Sequence, residues 1–73
     1  MMNNINVMVG MKIQQMRKQS GLDQISFAEQ CGISKTHYGR IERGENSMTL
    51  DTFFLVSKEL GVSMSDLLSA IGQ

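Results

Sequence analysis

The stretch from residue 22 to residue 44, LDQISFAEQCGISKTHYGRIERG, constrains the fold more than any other part of this 73-residue chain. It contains two short amphipathic segments, and Gly32 stands between them. Glycine readily adopts the left-handed conformation that a sharp turn between helices requires. The second segment has a polar side formed by Lys35, Thr36, His37, Gly39 and Arg40. We therefore expect two short helices that cross steeply, the second with a basic outer side.

Length and composition predict one small all-α domain. A chain of this length buries only about 60% of its unfolded surface when it folds, which is enough for a single core. Apolar residues make up 41% of the sequence, proline is absent, and residues that favour strands are scattered. We expect a flexible lead-in over residues 1–5 and a single domain over residues 6–73.

Several classes of function are disfavoured by what the sequence contains. The single cysteine, Cys31, excludes an intrachain disulfide and a cysteine-based zinc site, and a small buried hydrophobe is its expected role. The apolar runs are too short to span a membrane, and we find no signal-peptide pattern, so we expect a cytoplasmic protein. Because no catalytic arrangement or glycine-rich phosphate loop is present, we expect no enzyme activity, no cofactor and no metal.

The charges are distributed unevenly although they sum to zero. Residues 1–43 carry a net charge of +3, and residues 44–73 carry −3. Random scatter on a small surface is one interpretation. The other is a molecule with a basic face for nucleic acid and an acidic far side.

Capping residues and glycines predict five helices. The expected segments are 6–19 after Asn3 or Asn4, 24–31 after Asp23, 35–43 after Ser34, 50–60 after Thr49, and a last helix after Ser63. The fourth is the most apolar, and we expect it to form the floor of the core with Leu50, Phe53 and Phe54 on or beside one face. Gly10 in the first helix indicates either a poor helix start or close packing by a neighbouring helix.

The two-helix segment meets the packing needs of a helix that projects into a DNA groove. Ala28 is small enough for the two helices to cross closely, and Ile33, Tyr38 and Ile41 supply apolar anchors. The B-DNA major groove is about 12 Å wide and admits such a helix. Gly39 would let the DNA backbone or a base approach closely. Tyr38 either fills the core or sends its hydroxyl out to a phosphate.

Three strings of the sequence resemble the phage repressor/Cro-type helix-turn-helix family. They are VGMKIQQMRKQSGLDQ, FAEQCGISKTHYGRIERGE and ELGVSMSDLL, which together cover most of the chain. The resemblance implies a compact five-helix, lambda repressor-like fold and a transcription regulator that binds double-stranded DNA. In size the chain resembles the controller proteins of restriction–modification systems. Small repressors and antitoxins share the pattern, so the subfamily is left open.

The resemblance also implies roles for individual residues. Gln24, Arg43 and the backbone near Asn46 and Ser47 would meet phosphates, while Lys35, Thr36 and Arg40 would read bases. The predicted DNA-binding residues are Gln24, Ser34, Lys35, Thr36, His37, Gly39, Arg40, Arg43, Asn46 and Ser47. Arg17 and Glu42 match a buried or half-buried salt bridge that joins the first and third helices in the family.

A homodimer is expected because one recognition helix reads too few base pairs for useful specificity. Two domains related by a two-fold axis would read half-sites of a palindromic operator about 34 Å apart. The last helix offers the candidate dimer surface, Met64, Leu68 and Ile71, while Leu67 closes the core. The alternative is an antitoxin or other protein-interaction module with secondary DNA binding.

Overall fold

Helices form most of the described chain, in the order that the sequence predicts. The structure, a computed structural model, describes residues 4–45 and 48–72. In this part of the chain there is no strand, and the helices are α1 (Ile5–Gln19), α2 (Gln24–Cys31), α3 (Lys35–Arg43), α4 (Leu50–Leu60) and α5 (Met64–Ser69). The prediction of an all-α, five-helix fold is confirmed.

A side-chain cap precedes each of these helices. The capping oxygens accept a backbone N–H from two or three residues further on, at 2.8–3.1 Å. The caps are Asn4, Asp23, Ser34, Thr49 and Ser63, as predicted. α1 begins at Ile5, one residue earlier than predicted, so Asn4 and Ile5 belong to the helix start. The other residues of the predicted lead-in, 1–3, lie outside the described residues.

All five helices contribute buried residues to one core. α1 packs on α3 and α5, α2 packs on α3 and α4, and α4 packs on α5. The buried apolar residues are Val9, Ile13, Phe27, Ala28, Cys31, Tyr38, Ile41, Phe53, Val56 and Leu67. Cys31 is the small buried hydrophobe that was predicted, and burial raises the pKa of its thiol to about 11.

Gly10 lies where the backbones of α1 and α3 pack closely against each other. A Cβ atom at this position would lie 2.4 Å from the carbonyl oxygen of Ile41 and 2.7 Å from that of Glu42. Real Cβ atoms do not come so near to backbone, so a larger residue would push the two helices apart. The close-packing interpretation of Gly10 is therefore confirmed, and α1 sets the position of the last turn of α3.

The prediction for α4 is wrong in part. Phe53, Val56 and Ser57 are buried, but Leu50 is 76% exposed and Phe54 is 53% exposed. α4 packs against α2 and α5, and only a narrow stripe of it is buried in the described structure. The apolar residues that lie outside this stripe are left on the surface.

Candidate nucleic-acid interface

The turn between α2 and α3 holds the two helices in a fixed relation. Gly32 lies in the left-handed region with φ of 78°, and the Ile33 N–H donates to the Ala28 carbonyl at 3.0 Å. Ala28 is buried at 1% exposure, and its small side chain lets the two helices approach closely. Ile33 packs against the edge of the core. The direction in which α3 leaves the turn is thus determined by this backbone hydrogen bond and by the packing of Ile33 just before the helix.

α3 has a buried inner side and an exposed outer side. Tyr38, Ile41 and Glu42 are between 0% and 4% exposed and face the core. The outer side carries exposed Lys35, Thr36, Arg40 and Arg43, with His37 partly buried at its margin. The predicted base-reading residues Lys35, Thr36 and Arg40 therefore share one exposed surface.

Gly39 lies on the outer side of α3, where it lines a surface depression together with Lys35 and Thr36. It is buried, because the Arg43 side chain lies over it and Gln24 of α2 stands beside it. A Cβ atom on Gly39 would lie 3.2 Å from Arg43 Nη1. The absent side chain therefore makes room for the Arg43 guanidinium in the DNA-free protein, instead of leaving an open approach to the helix backbone.

An ion pair joins Arg17 of α1 to Glu42 of α3, as the resemblance implies. Arg17 Nε lies 2.6 Å from Glu42 Oε2, and Arg17 Nη2 donates to Oε1 at 3.3 Å. Arg17 Nη1 donates to the Leu22 carbonyl at 2.7 Å, which ties in the loop before α2. The two side chains are 7% and 1% exposed. This pair connects the first three helices beneath the outer side of α3.

The Glu42 carboxylate accepts hydrogen bonds from three different side chains. These are the Arg17 guanidinium, the Tyr38 hydroxyl and the Gln24 amide. Burial alone would raise the pKa of Glu42, but the hydrogen bonds from Arg17, Tyr38 and Gln24 outweigh it and lower that pKa below its ordinary value. No buried side-chain nitrogen or oxygen in the described residues lacks a partner. The charged group is thus fully satisfied inside the fold.

Tyr38 is a core residue whose hydroxyl points inward. The side chain is 0% exposed, and its ring lies 5.3 Å from that of Phe27 in a tilted arrangement. The hydroxyl donates to Glu42, so the suggestion that it emerges toward a phosphate is wrong. Burial and the neighbouring Glu42 carboxylate raise the pKa of Tyr38 far above its ordinary value.

Gln24 lies at the start of α2, between the buried ion pair and the surface. Its Nε2 donates to Glu42 Oε1 at 2.8 Å, a contact that the sequence did not predict. The side chain is only partly buried. Since the amide nitrogen carries a second hydrogen, it can hold Glu42 and still donate outward. The predicted phosphate contact of Gln24 remains a prediction.

Arg43 is paired with an acidic residue that the sequence analysis did not select. Arg43 Nε lies 2.6 Å from Glu45 Oε2, and both side chains are about half exposed. This contact lowers the pKa of the Glu45 carboxyl and raises that of the Arg43 guanidinium. The available signal was an acidic residue two positions after a predicted phosphate-binding arginine, at the start of the acidic part of the chain.

Of the remaining predicted DNA-binding residues, Ser34 is described by the structure and directly precedes α3. The Ser34 hydroxyl oxygen accepts the His37 N–H at 3.1 Å and so caps the helix, while its own hydrogen is left to donate elsewhere. Asn46 and Ser47 lie outside the described residues. The contacts that we predicted for them with phosphates remain predictions.

The predicted dimer residues differ in exposure. Met64 and Ile71 pack against the core and are partly buried, whereas Leu68 is 38% exposed. Leu68 belongs to a surface groove that is also lined by Ile5 and Leu50. We call this surface the apolar groove. The exposed apolar area therefore extends to the first turns of α1 and α4, beyond the helix that the sequence indicated.

Family comparison places the chain in a known class. The helix-turn-helix family matches residues 13–67, which include α2, α3 and the turn between them. The chain belongs to the helix-turn-helix family of DNA-binding transcription regulators. The expectation that the sequence resembles repressor-type and controller regulators is thereby confirmed.

Several relatives that this chain resembles are control proteins. The chain is 39% identical over 69 residues to the control protein C.BamHI of Bacillus amyloliquefaciens, which covers 93% of this chain and 85% of that protein. It is 37% identical over 71 residues to the control protein C.MunI of Mycoplasma sp, with 96% of each chain covered. The crystal structure of the restriction–modification controller protein C.AhdI from Aeromonas hydrophila has the same fold, with a TM-score of 0.80 and 24% identity over 85% of this chain and 90% of that one.

Two other features, a membrane-spanning helix and a metal cluster, are not found in the described residues. Within residues 4–45 and 48–72, no helix is long and apolar enough to cross a membrane. Over the same residues, no three His, Cys, Asp or Glu side chains are grouped so that they could hold a metal ion. The relatives reported above are named as control or controller proteins.

Proposed function

We propose that this chain is a controller-type transcription regulator in the cytoplasm that binds a pseudo-palindromic operator as a homodimer. The observation that carries the proposal is the exposed edge formed by Lys35, Thr36 and Arg40 on a helix whose other side is fixed in the core. The likeness to proteins named control proteins supports the regulatory role.

Sequence would be read in the major groove by residues on the outer side of α3, from its first turn to Arg40 in its last turn. Arg40 is the strongest candidate, because arginine donates two parallel hydrogen bonds to guanine O6 and N7. Thr36 offers a methyl group and a hydroxyl, and Lys35 a point charge. Gln24, Ser34 and Arg43 would bond to phosphates and set the register of the helix on the duplex.

Dimerisation would use the apolar groove, together with Phe54 on the adjoining exposed side of α4. Leu50 and Phe54 are 76% and 53% exposed, and contiguous exposed apolar area of this kind marks interaction sites. A second copy of the chain is the proposed occupant, because two recognition helices are needed to specify a full operator. A two-fold axis at this surface makes the contact self-complementary.

Selection of bound duplexes from a random pool tests the proposed function. We expect an enriched motif with two inverted half-sites, separated by about one helical turn between their centres. Anisotropy titrations then compare the selected duplex with a scrambled one at fixed salt, since affinities without a stated salt concentration carry no meaning. Equal affinities for the two duplexes would exclude sequence-specific binding.

Sedimentation equilibrium tests the dimer surface separately. We expect Leu50→Asp to weaken dimerisation by about tenfold or more, because it places a charge in an apolar contact. Met11→Asp is the matched control, since Met11 is 62% exposed on α1 and lies outside the apolar groove. If both variants dimerise as the wild type does, the apolar groove is not the interface.

A further inference from the structure

Glu45 carries a negative charge at the end of the helix that would face DNA. Its two carboxylate oxygens lie 2.6 Å from Arg43 Nε and 3.5 Å from Arg43 Nη2. The two side chains are 50% and 56% exposed, and ion pairs as exposed as this contribute little to stability because water and salt screen them. A negative charge beside proposed phosphate contacts also disfavours DNA binding in general. Neither a contribution to stability nor attraction to DNA therefore accounts for the presence of Glu45 beside Arg43.

The backbone at Glu45 is held in place by the turn that ends α3. The Gly44 N–H donates to the Ile41 carbonyl at 3.1 Å, and the Glu45 N–H donates to the Arg40 carbonyl at 2.9 Å. These two bonds form the usual closing pattern of a helix C-terminus. The Glu45 side chain therefore starts from a fixed point, and it can restrain the arginine that it contacts.

The Arg43 guanidinium is held by Glu45 along one edge and lies over Gly39, where the absent side chain leaves room for it. Its Nε and Nη2 atoms, which form the side edge of the group, face the Glu45 carboxylate. Its Nη1 atom lies over Gly39, 3.2 Å from the place that a Cβ atom would occupy. The end edge, formed by Nη1 and Nη2, remains available to an acceptor outside the protein. It borders the depression that contains Lys35 and Thr36.

We propose that Glu45 is a positioning residue, which holds Arg43 across Gly39 so that the end edge of the guanidinium meets one phosphate at a fixed place on the operator. An unrestrained arginine would reach several phosphates and would stabilise any register on the DNA. A restrained one stabilises the register in which Arg40 and its neighbours meet their bases. Glu45 thus lowers affinity for DNA in general and raises discrimination. This inference rests on the proposed function.

The first experiment compares Glu45→Gln with the wild type on the selected operator and on a scrambled duplex. We expect affinity for the scrambled duplex to rise several-fold because a negative charge is removed. The ratio of operator to scrambled affinity falls by about three- to tenfold as preorganisation is lost. Glu59→Gln, which makes the same charge change on an exposed residue of α4, leaves the ratio unchanged. Circular dichroism melting checks that each variant is folded.

The second experiment locates the phosphate. Single methylphosphonate substitutions remove the charge of one phosphate at a time along the operator. With the wild type, we expect substitution of one particular phosphate to weaken binding. Combining that substitution with Arg43→Ala should cause no further loss of affinity. In Glu45→Gln we expect this loss to be spread over neighbouring phosphates. A merely structural role for Glu45 would leave the position and the size of the loss unchanged.

The outcomes separate this inference from the proposed function. If Glu45→Gln raises both affinities by the same factor, Glu45 only repels DNA and the inference is overturned. Unchanged affinities overturn it as well. If the wild type itself shows no preference for any selected duplex, the proposed function fails first, and that failure is visible before any variant is measured.

Discussion

The two sides of α3 differ in chemistry although they belong to the same nine-residue helix. The inner side places Tyr38, Ile41 and Glu42 in the core, where Glu42 is hydrogen-bonded by three other side chains. The outer side leaves Lys35, Thr36 and Arg40 exposed. An isolated helix this short is unstable in water, so the geometry of the outer side depends on the inner side. Substitutions on the inner side should therefore change stability, and those on the outer side should change only DNA binding.

The largest expected effect is that of Glu42→Ala. The substitution leaves the Arg17 guanidinium buried without its partner, which should cost about 3–5 kcal/mol of unfolding free energy. Urea unfolding followed by circular dichroism measures this loss. Glu29→Ala, at an exposed position of α2, is the control and should change stability by less than about 0.5 kcal/mol. A similar small change for both variants would mean that the buried pair does not support the inner side.

Tyr38→Phe should have the next largest effect. It removes only the hydroxyl that donates to the buried Glu42 carboxylate, and hydrogen bonds to charged groups are worth about 1.5–3 kcal/mol. Because the Arg17 and Gln24 hydrogen bonds to Glu42 remain, a value near the lower limit is expected. The same unfolding measurement applies. A variant as stable as the wild type would show that the Tyr38 ring alone supplies the stability at this position.

Arg40→Ala tests the outer side. We expect discrimination between the selected operator and a scrambled duplex to fall by about 1–3 kcal/mol, because one bidentate base contact is lost. The free energy of unfolding should stay within about 0.5 kcal/mol of the wild type, since Arg40 is exposed. Anisotropy titration and urea unfolding on the same preparations give both values. A large loss of stability would contradict the claim that residues on the outer side of α3 affect DNA binding alone.

The smallest expected effect is a change in the pH dependence of stability. The pKa of Glu42 is lower in the folded protein than its ordinary value of 4.5, so the unfolded chain binds a proton more readily. The contribution of Glu42 is therefore fully present above about pH 4.5 and is lost as the pH falls through its folded pKa. The free energy of unfolding, measured with urea at a series of acidic pH values, should fall less steeply with decreasing pH for Glu42→Gln than for the wild type. The same pH dependence of stability in both proteins would show that Glu42 does not cause the loss of stability at acidic pH.

The helices were predictable because their signals are local. A polar cap such as Ser34 and a glycine such as Gly32 mark helix ends within a few residues, and both occupy those places in the structure. The apolar period also identified Tyr38 and Ile41 as inner residues of α3. By contrast, the period of α4 could not show how wide a stripe its neighbours cover, so Leu50 and Phe54 were wrongly assigned to the core.

The pairing of polar side chains was less predictable. Arg17 and Glu42 are 25 residues apart, and only the resemblance to a family brought them together. The Gln24 contact with Glu42 joins two crossing helices, and the position of Arg43 over Gly39 depends on which conformation the long Arg43 side chain adopts along α3. No local pattern specifies such conformations. The sequence therefore identified which residues lie on the outer side of α3, but not which of them are already paired in the free protein.

Base preference at each operator position, measured by selecting duplexes from one random pool with wild type and with Arg40→Ala, tests the central claim most directly. The wild type should enrich two inverted half-sites with a guanine at one fixed position in each. Arg40→Ala should lose the preference at that position and keep the preferences at the others. The same preferences at every position for both proteins would contradict the assignment of the outer side of α3 as the surface that reads DNA sequence.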